Sequence, residues 1–186
     1  MLLGLAVAEL LLGFGNLLRA REQPRWGILT PMLGLLIFVH IISSFVDAWD
    51  KLQDVTVDLA GIAPPALIGV GYFIAALMAI PRDIEDWPSL DDYFHARKWL
   101  TLGPIISNNI LTIIFFDFYG IMQNRLAAIV AYVLVNGLML ALLAIPLLTG
   151  NRRIAGASMF ALILIMVILY ATPLNISGLM DKILGI

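Results

Sequence analysis

The sequence has no cysteine and only two histidines among its 186 residues. Without cysteine, a disulfide, a thiolate metal site and a cysteine nucleophile are all excluded. The histidines, His40 and His95, do not form the His-x-x-x-His or His-Glu-x-x-His spacing that zinc enzymes use. We therefore expect no metal and no other cofactor, and the sequence favours a non-enzymatic protein over an enzyme.

Charged residues are also scarce, at 13% of the chain, where a soluble domain has about 25%. The net charge of −2 leaves no basic surface for nucleic acid. All three lysines, Lys51, Lys98 and Lys182, lie outside the apolar runs, which excludes a retinal-type Schiff base. Membrane lipids are the expected surroundings, and a homo-oligomer is left open.

Apolar runs fill most of the chain, of which 61% is hydrophobic. Six of them approach the ~20 residues that a helix needs to cross the hydrocarbon core of a bilayer. The sequence therefore predicts an all-α polytopic membrane protein, a single domain over 1–186 built as a bundle of six transmembrane helices. The predicted spans are 1–18, 26–46, 59–81, 99–119, 126–150 and 154–176.

The longest connection, 82–98, carries signals of its own. Pro88 stops the preceding chain, and Ser89 followed three residues later by Asp92 resembles a capping box. Apolar side chains on the following turns would lie on the membrane surface. We therefore predict a short interfacial helix before the fourth span.

The distribution of basic residues predicts the orientation of the bundle. The first connection holds three, the third three and the fifth two, which makes eight of the 11 Lys and Arg. Basic connections face the cytoplasm, so both termini are predicted on the non-cytoplasmic side. Tryptophans favour the membrane interface, and all four fall at or near predicted span ends: Trp26, Trp49, Trp87 and Trp99.

Five polar side chains fall near the middle of four predicted spans, as judged from the ~1.5 Å rise per helical residue. Ionisable groups at that depth are costly and mark candidate sites, and a glutamate–histidine pair can exchange a proton. One hypothesis is a proton or cation channel or transporter. The alternative is structural, because such side chains also join helices by hydrogen bonds. The five are Glu9, His40, Asn108, Asn109 and Asn136.

A second set of polar residues extends towards the outer end of the bundle. His40, Ser43 or Ser44, and Asp47 recur at helical spacing and share one face of the second span. Asp117, near the outer end of the fourth span, is a further candidate. We predict an outer vestibule of Ser44, Asp47 and Asp117 that attracts cations, with a solvated loop edge as the alternative.

The 82–98 connection is the candidate surface for a protein partner, whose identity the sequence leaves unknown. Its polar residues are Asp91, Asp92, Tyr93 and His95. With a partner bound there, the protein would be a scaffold, sensor or accessory subunit. The alternative is an ordinary solvated connection.

Three stretches of the sequence resemble a family of small polytopic proteobacterial inner-membrane proteins without assigned function. They are GLAVAELLLGFGNLLRAR (Gly4 to Arg21), FIAALMAIPRD (Phe73 to Asp83) and LDDYFHARKW (Leu90 to Trp99). The likeness covers about the first two thirds of the chain. It implies a bacterial inner membrane and no particular activity. In such a membrane, the orientation predicted from the basic residues would place both termini in the periplasm.

Overall fold

The computed structural model describes residues 1–20, 24–53, 58–117 and 126–171. The described part forms six long helices, each apolar enough to cross a membrane. This confirms the predicted all-α bundle and makes the chain a multi-pass membrane protein. The helices are α1 (Leu2–Arg19), α2 (Leu29–Lys51), α3 (Leu59–Leu77), α4 (Leu90–Thr112), α5 (Leu126–Leu148) and α6 (Arg152–Ala171).

The outside of the bundle is apolar. Leu12, Leu134 and Phe160 are each about 60% exposed, and many other large apolar side chains share this outward position. In water, so much exposed apolar surface would cause association. Contact between these apolar side chains and lipid carries no such penalty. The apolar surface and the length of the helices therefore both indicate a membrane environment.

The fourth span differs in one detail from the prediction. The segment expected as a separate interfacial helix is the beginning of α4, which continues through a π-helical turn at Ile113–Asp117. Residues 90–102 contain no glycine or proline that would interrupt the helix. The 28 residues from 90 to 117 span about 42 Å, more than the ~30 Å of hydrocarbon. The cap is at Ser89, whose hydroxyl accepts the Asp91 N–H at 3.2 Å.

Small residues bring neighbouring helices into close contact. α3 packs mainly on α1 and α4, whereas α6 packs on α2 and α5. At Gly34, an added Cβ would overlap the ring of Phe14, and at Gly71 it would overlap the side-chain amide of Asn108. Glycine at these positions lets α1 approach α2, and α4 approach α3.

One end of the bundle carries most of the described basic residues. We call it the basic end and define it by Arg19, Arg25, Arg82, Lys98, Arg152 and Arg153. Here the starts of α2, α4 and α6 meet the ends of α1, α3 and α5.

A polar clamp joins the helices at the basic end, and it is centred on the buried carboxylate of Asp91. Its Oδ1 accepts the Leu29 N–H at 3.0 Å, which caps the start of α2. Its Oδ2 lies 3.4 Å from the guanidinium of Arg152 at the start of α6. On α2, the Thr30 hydroxyl also donates to the Leu90 carbonyl at 2.9 Å. The clamp therefore holds three helix starts together.

Lys98 closes the same end against α5. Its ammonium donates to the carbonyl oxygens of Pro146 at 3.1 Å and Thr149 at 3.0 Å. Carbonyls at the end of a helix have no partner within it, and a cation there also interacts favourably with the helix dipole. The basic end is thus closed by hydrogen bonds between helices that are distant in sequence.

Candidate functional site

A cavity of about 430 Å³ lies between α2, α4, α5 and α6. It begins near the middle of the bundle, at His40, and extends along α2 to Asp47, a distance of about 10 Å along the helix axis. Asp117 and Tyr170, which also line it, stand at the ends of their helical segments. The cavity therefore belongs to the half of the bundle away from the basic end.

His40 lines the cavity and is 2% exposed. Its Nδ1 lies 3.0 Å from the Leu36 carbonyl. Because a carbonyl only accepts hydrogen bonds, Nδ1 carries the proton in the neutral imidazole and Nε2 carries the lone pair. Nε2 is buried and has no hydrogen-bond partner among the residues that the structure describes. A buried acceptor without a partner favours the binding of a ligand that can donate a hydrogen bond to it.

Two carboxylates lie near the end of the cavity that is farthest from the basic end, which we call its far end. Each of them accepts a hydrogen bond from a tyrosine. The Tyr132 hydroxyl donates to Asp117 at 2.6 Å, and the Tyr170 hydroxyl donates to Asp47 at 3.0 Å. Hydrogen bonds to an ionised oxygen are short and strong, so they orient both carboxylates. None of the described residues that line the cavity is a lysine or an arginine.

Two asparagines add amide groups to the cavity wall. Asn109 donates through Nδ2 to the Ile105 carbonyl at 2.8 Å, and Asn136 donates to the Tyr132 carbonyl at 3.0 Å. Both bonds lie within one helix and use the amide nitrogen. They orient the side chains and use neither carbonyl oxygen, so each Oδ1 can still accept a hydrogen bond.

The structure brings together six of the eight residues predicted for the midplane cluster and the outer vestibule. They line one continuous cavity, and the stripe on α2 forms one of its walls. Ser43 and Thr112 line it as well. The six are His40, Ser44, Asp47, Asn109, Asp117 and Asn136.

Glu9 lies elsewhere, so its expected pairing with His40 is wrong. Its carboxylate is 3.5 Å from the guanidinium of Arg82, in a groove that Gly13 and Ala76 also line. The predicted depth of Glu9 says nothing about the direction in which its side chain leaves the helix. α1 packs on α3, and that packing turns Glu9 towards the chain that follows α3.

Asn108 has a structural place. It is 2% exposed, and its Nδ2 donates to the Ile68 carbonyl of α3 at 2.9 Å. A hydrogen bond of this kind joins two helices in a membrane. This residue therefore matches the structural alternative, whereas its neighbour Asn109 lines the cavity.

The predicted partner surface is only partly a surface. Asp91 belongs to the polar clamp, and Tyr93 is 7% exposed and donates to the Met78 carbonyl at 3.0 Å. Asp92 is exposed and pairs with Arg152 at 3.0 Å, while His95 is half-buried. The capped helix start turns Asp91 and Tyr93 inward, so the four residues do not form one accessible patch.

Sequence reasoning missed three tyrosines of the cavity: Tyr72, Tyr132 and Tyr170. The ring of Tyr72 lies 6.4 Å from that of His40, measured between centroids. One available signal was that Tyr132 and Asn136 are four residues apart and so share a helix face. For Tyr72 and Tyr170 the sequence holds no comparable signal.

In the described ranges, no group of three or more His, Asp or Glu side chains is placed to hold a metal ion. Comparisons of the chain with known protein families, with curated proteins and with solved structures find no match. The cavity is therefore the feature of the molecule that points to a function.

Proposed function

We propose that this protein is a small channel or transporter for protons or other small cations, and that the cavity is its cation-binding site. One observation carries the proposal: two tyrosine-oriented carboxylates, Asp47 and Asp117, share a membrane-embedded cavity with an unpartnered nitrogen of His40. Carboxylates that line a cavity with low-dielectric walls concentrate cations there, and an ionisable side chain near the middle of a span, such as His40, typically marks an ion pathway.

We further propose that the membrane is a bacterial inner membrane, with the basic end cytoplasmic and both termini periplasmic. The positive-inside rule supports this orientation, and the sequence resemblance supports the choice of membrane. The cavity then faces the periplasm. The polar clamp and Lys98 close the opposite end, as in a carrier that is open to one side.

The inward positions of Asp91 and Tyr93 weigh against the alternative of a scaffold, sensor or accessory subunit that binds a partner through 82–98. A partner would contact Asp92 and the exposed Arg97, but it would not reach the buried side chains of Asp91 and Tyr93. The cavity is therefore the better-supported site.

The test is ion flux into liposomes that contain the purified protein. Proton uptake is followed with an enclosed pH-sensitive dye, and Na⁺ or K⁺ uptake with a potential-sensitive dye. We expect the double variant Asp47→Asn/Asp117→Asn to lower the flux about tenfold or more, because a cation loses two charged contacts of at least about 1.5 kcal/mol each.

The matched control is Glu9→Gln, which neutralises a carboxylate outside the cavity and should leave the flux unchanged. Two results would contradict the proposal. In one, the unaltered protein conducts no more than empty liposomes. In the other, Glu9→Gln lowers the flux as much as the double variant does.

A further inference from the structure

We infer that the cavity selects small organic ammonium ions that carry a hydrogen-bond donor at their other end, an inference that rests on the proposed cation transport. The lining changes in character along its length. Carboxylates and two tyrosines stand at the far end, apolar and amide side chains lie between, and the unpartnered Nε2 of His40 stands at the inner end.

The size and the spacing of the cavity favour an organic ion over a metal ion. Its volume of about 430 Å³ lies within the ~300–1,000 Å³ typical of small-molecule sites. A metal ion would require several ligands within about 2–2.6 Å of one point. The described His, Asp and Glu side chains form no such group.

The far end of the cavity suits an ammonium group. Asp47 and Asp117 supply negative charge, and Tyr132 and Tyr170, which hold them, add aromatic surface. Carboxylates bind ammonium ions through charge-assisted hydrogen bonds, and tyrosine rings attract organic cations through their π-electrons. The combination suits an alkylammonium ion better than a strongly hydrated inorganic ion.

The middle and the inner end of the cavity explain why the ligand should carry a hydrogen-bond donor at the end opposite its ammonium group. Val135 and Met166 line the cavity at levels between those of His40 and Asp47, and they can pack against methylene groups. Beyond them, the Nε2 of His40 is a buried acceptor without a partner among the described residues. A hydroxyl or N–H at the end of the ligand opposite its ammonium group would satisfy this acceptor, whereas a methyl group there would leave it unsatisfied.

The test is calorimetric titration of the detergent-purified protein with three series of compounds of increasing chain length. They are ω-amino alcohols, n-alkylammonium ions and n-alcohols. We expect the best amino alcohol to bind roughly fivefold tighter than the alkylammonium ion of equal length, since it gains one buried hydrogen bond. The uncharged alcohol should not bind measurably. Asp47→Asn and Asp117→Asn should each weaken amino-alcohol binding about tenfold or more.

His40→Phe supplies the specific control. It keeps an aromatic ring and removes the acceptor, so amino alcohol and alkylammonium ion should bind it equally. If this variant does not fold, the comparison of the two ligand series on the unaltered protein still decides the matter. Equal binding of both series there would overturn the inference. The inference would also be overturned if NaCl, at equal ionic strength, displaced a bound amino alcohol as effectively as the other amines do.

Flux measurements separate this inference from the proposed function. Proton or Na⁺ flux without amine binding would overturn the inference and leave the proposed function standing. Absence of both flux and binding would overturn both. Selective amine binding accompanied by amine-dependent flux would support both, and the flux should then follow the same order of chain lengths as the binding.

Discussion

Replacing Asp91 by alanine is expected to lower the free energy of unfolding by about 1–4 kcal/mol. The substitution leaves the N–H of Leu29, a residue that is 1% exposed, without its acceptor, which costs about 1–3 kcal/mol. The lost pair with Arg152 adds less, since that side chain is 55% exposed and solvent screens it. Unfolding of the purified protein in one fixed detergent measures the loss.

Asp92→Ala is the matched control for the polar clamp. Asp92 is the next residue on α4 and pairs with the same arginine at 3.0 Å, but its side chain is 48% exposed. Its removal should cost less than about 1 kcal/mol. Equal losses for the two variants would show that the charge pairs, and not the buried cap on α2, stabilise the basic end.

Gly71→Ala is expected to destabilise the bundle by about 1–3 kcal/mol. The added Cβ would overlap the side-chain amide of Asn108, which is buried and bonded to the Ile68 carbonyl at 2.9 Å. Either α3 and α4 move apart or Asn108 gives up its hydrogen bond. The apparent melting temperature in detergent should fall accordingly.

A double variant separates this clash from a general effect of alanine. In Gly71→Ala/Asn108→Ala the overlapping amide is absent, so the loss should be smaller than the sum of the two single losses. Gly137→Ala is the control, because nothing lies within 4 Å of an added Cβ there, and alanine favours a helix. If Gly71→Ala were as harmless as Gly137→Ala, the close approach of α3 and α4 would be wrong.

The architecture was accessible from the sequence because it depends on the average polarity of long segments. The predicted start of the third span at residue 59 agrees with the start of α3, where the Asp58 side chain caps the helix. The Ser89 cap was also predictable, since its signal is local. The α4 segment differed because residues 90–102 contain no glycine or proline, so the helix is continuous from Ser89 into the span.

Only part of the candidate site could be predicted from the sequence. His40, Asn109 and Asn136 were found because a polar residue stands out in an apolar span. Depth along the helix follows from residue number, so their common level was predictable as well. The tyrosines were missed because tyrosine is an ordinary residue of membrane helices and does not stand out.

The sequence by itself determined that this chain crosses a membrane through six helices, and which polar groups lie at mid-depth. Only the tertiary structure decided which of these groups meet. Asn108 and Asn109 are adjacent in sequence, yet one joins α4 to α3 and the other lines the cavity. Glu9 shares the predicted depth of His40 but pairs with Arg82. The reason is geometric: residue number gives height along a helix, whereas the rotation and packing of each helix depend on contacts between distant segments.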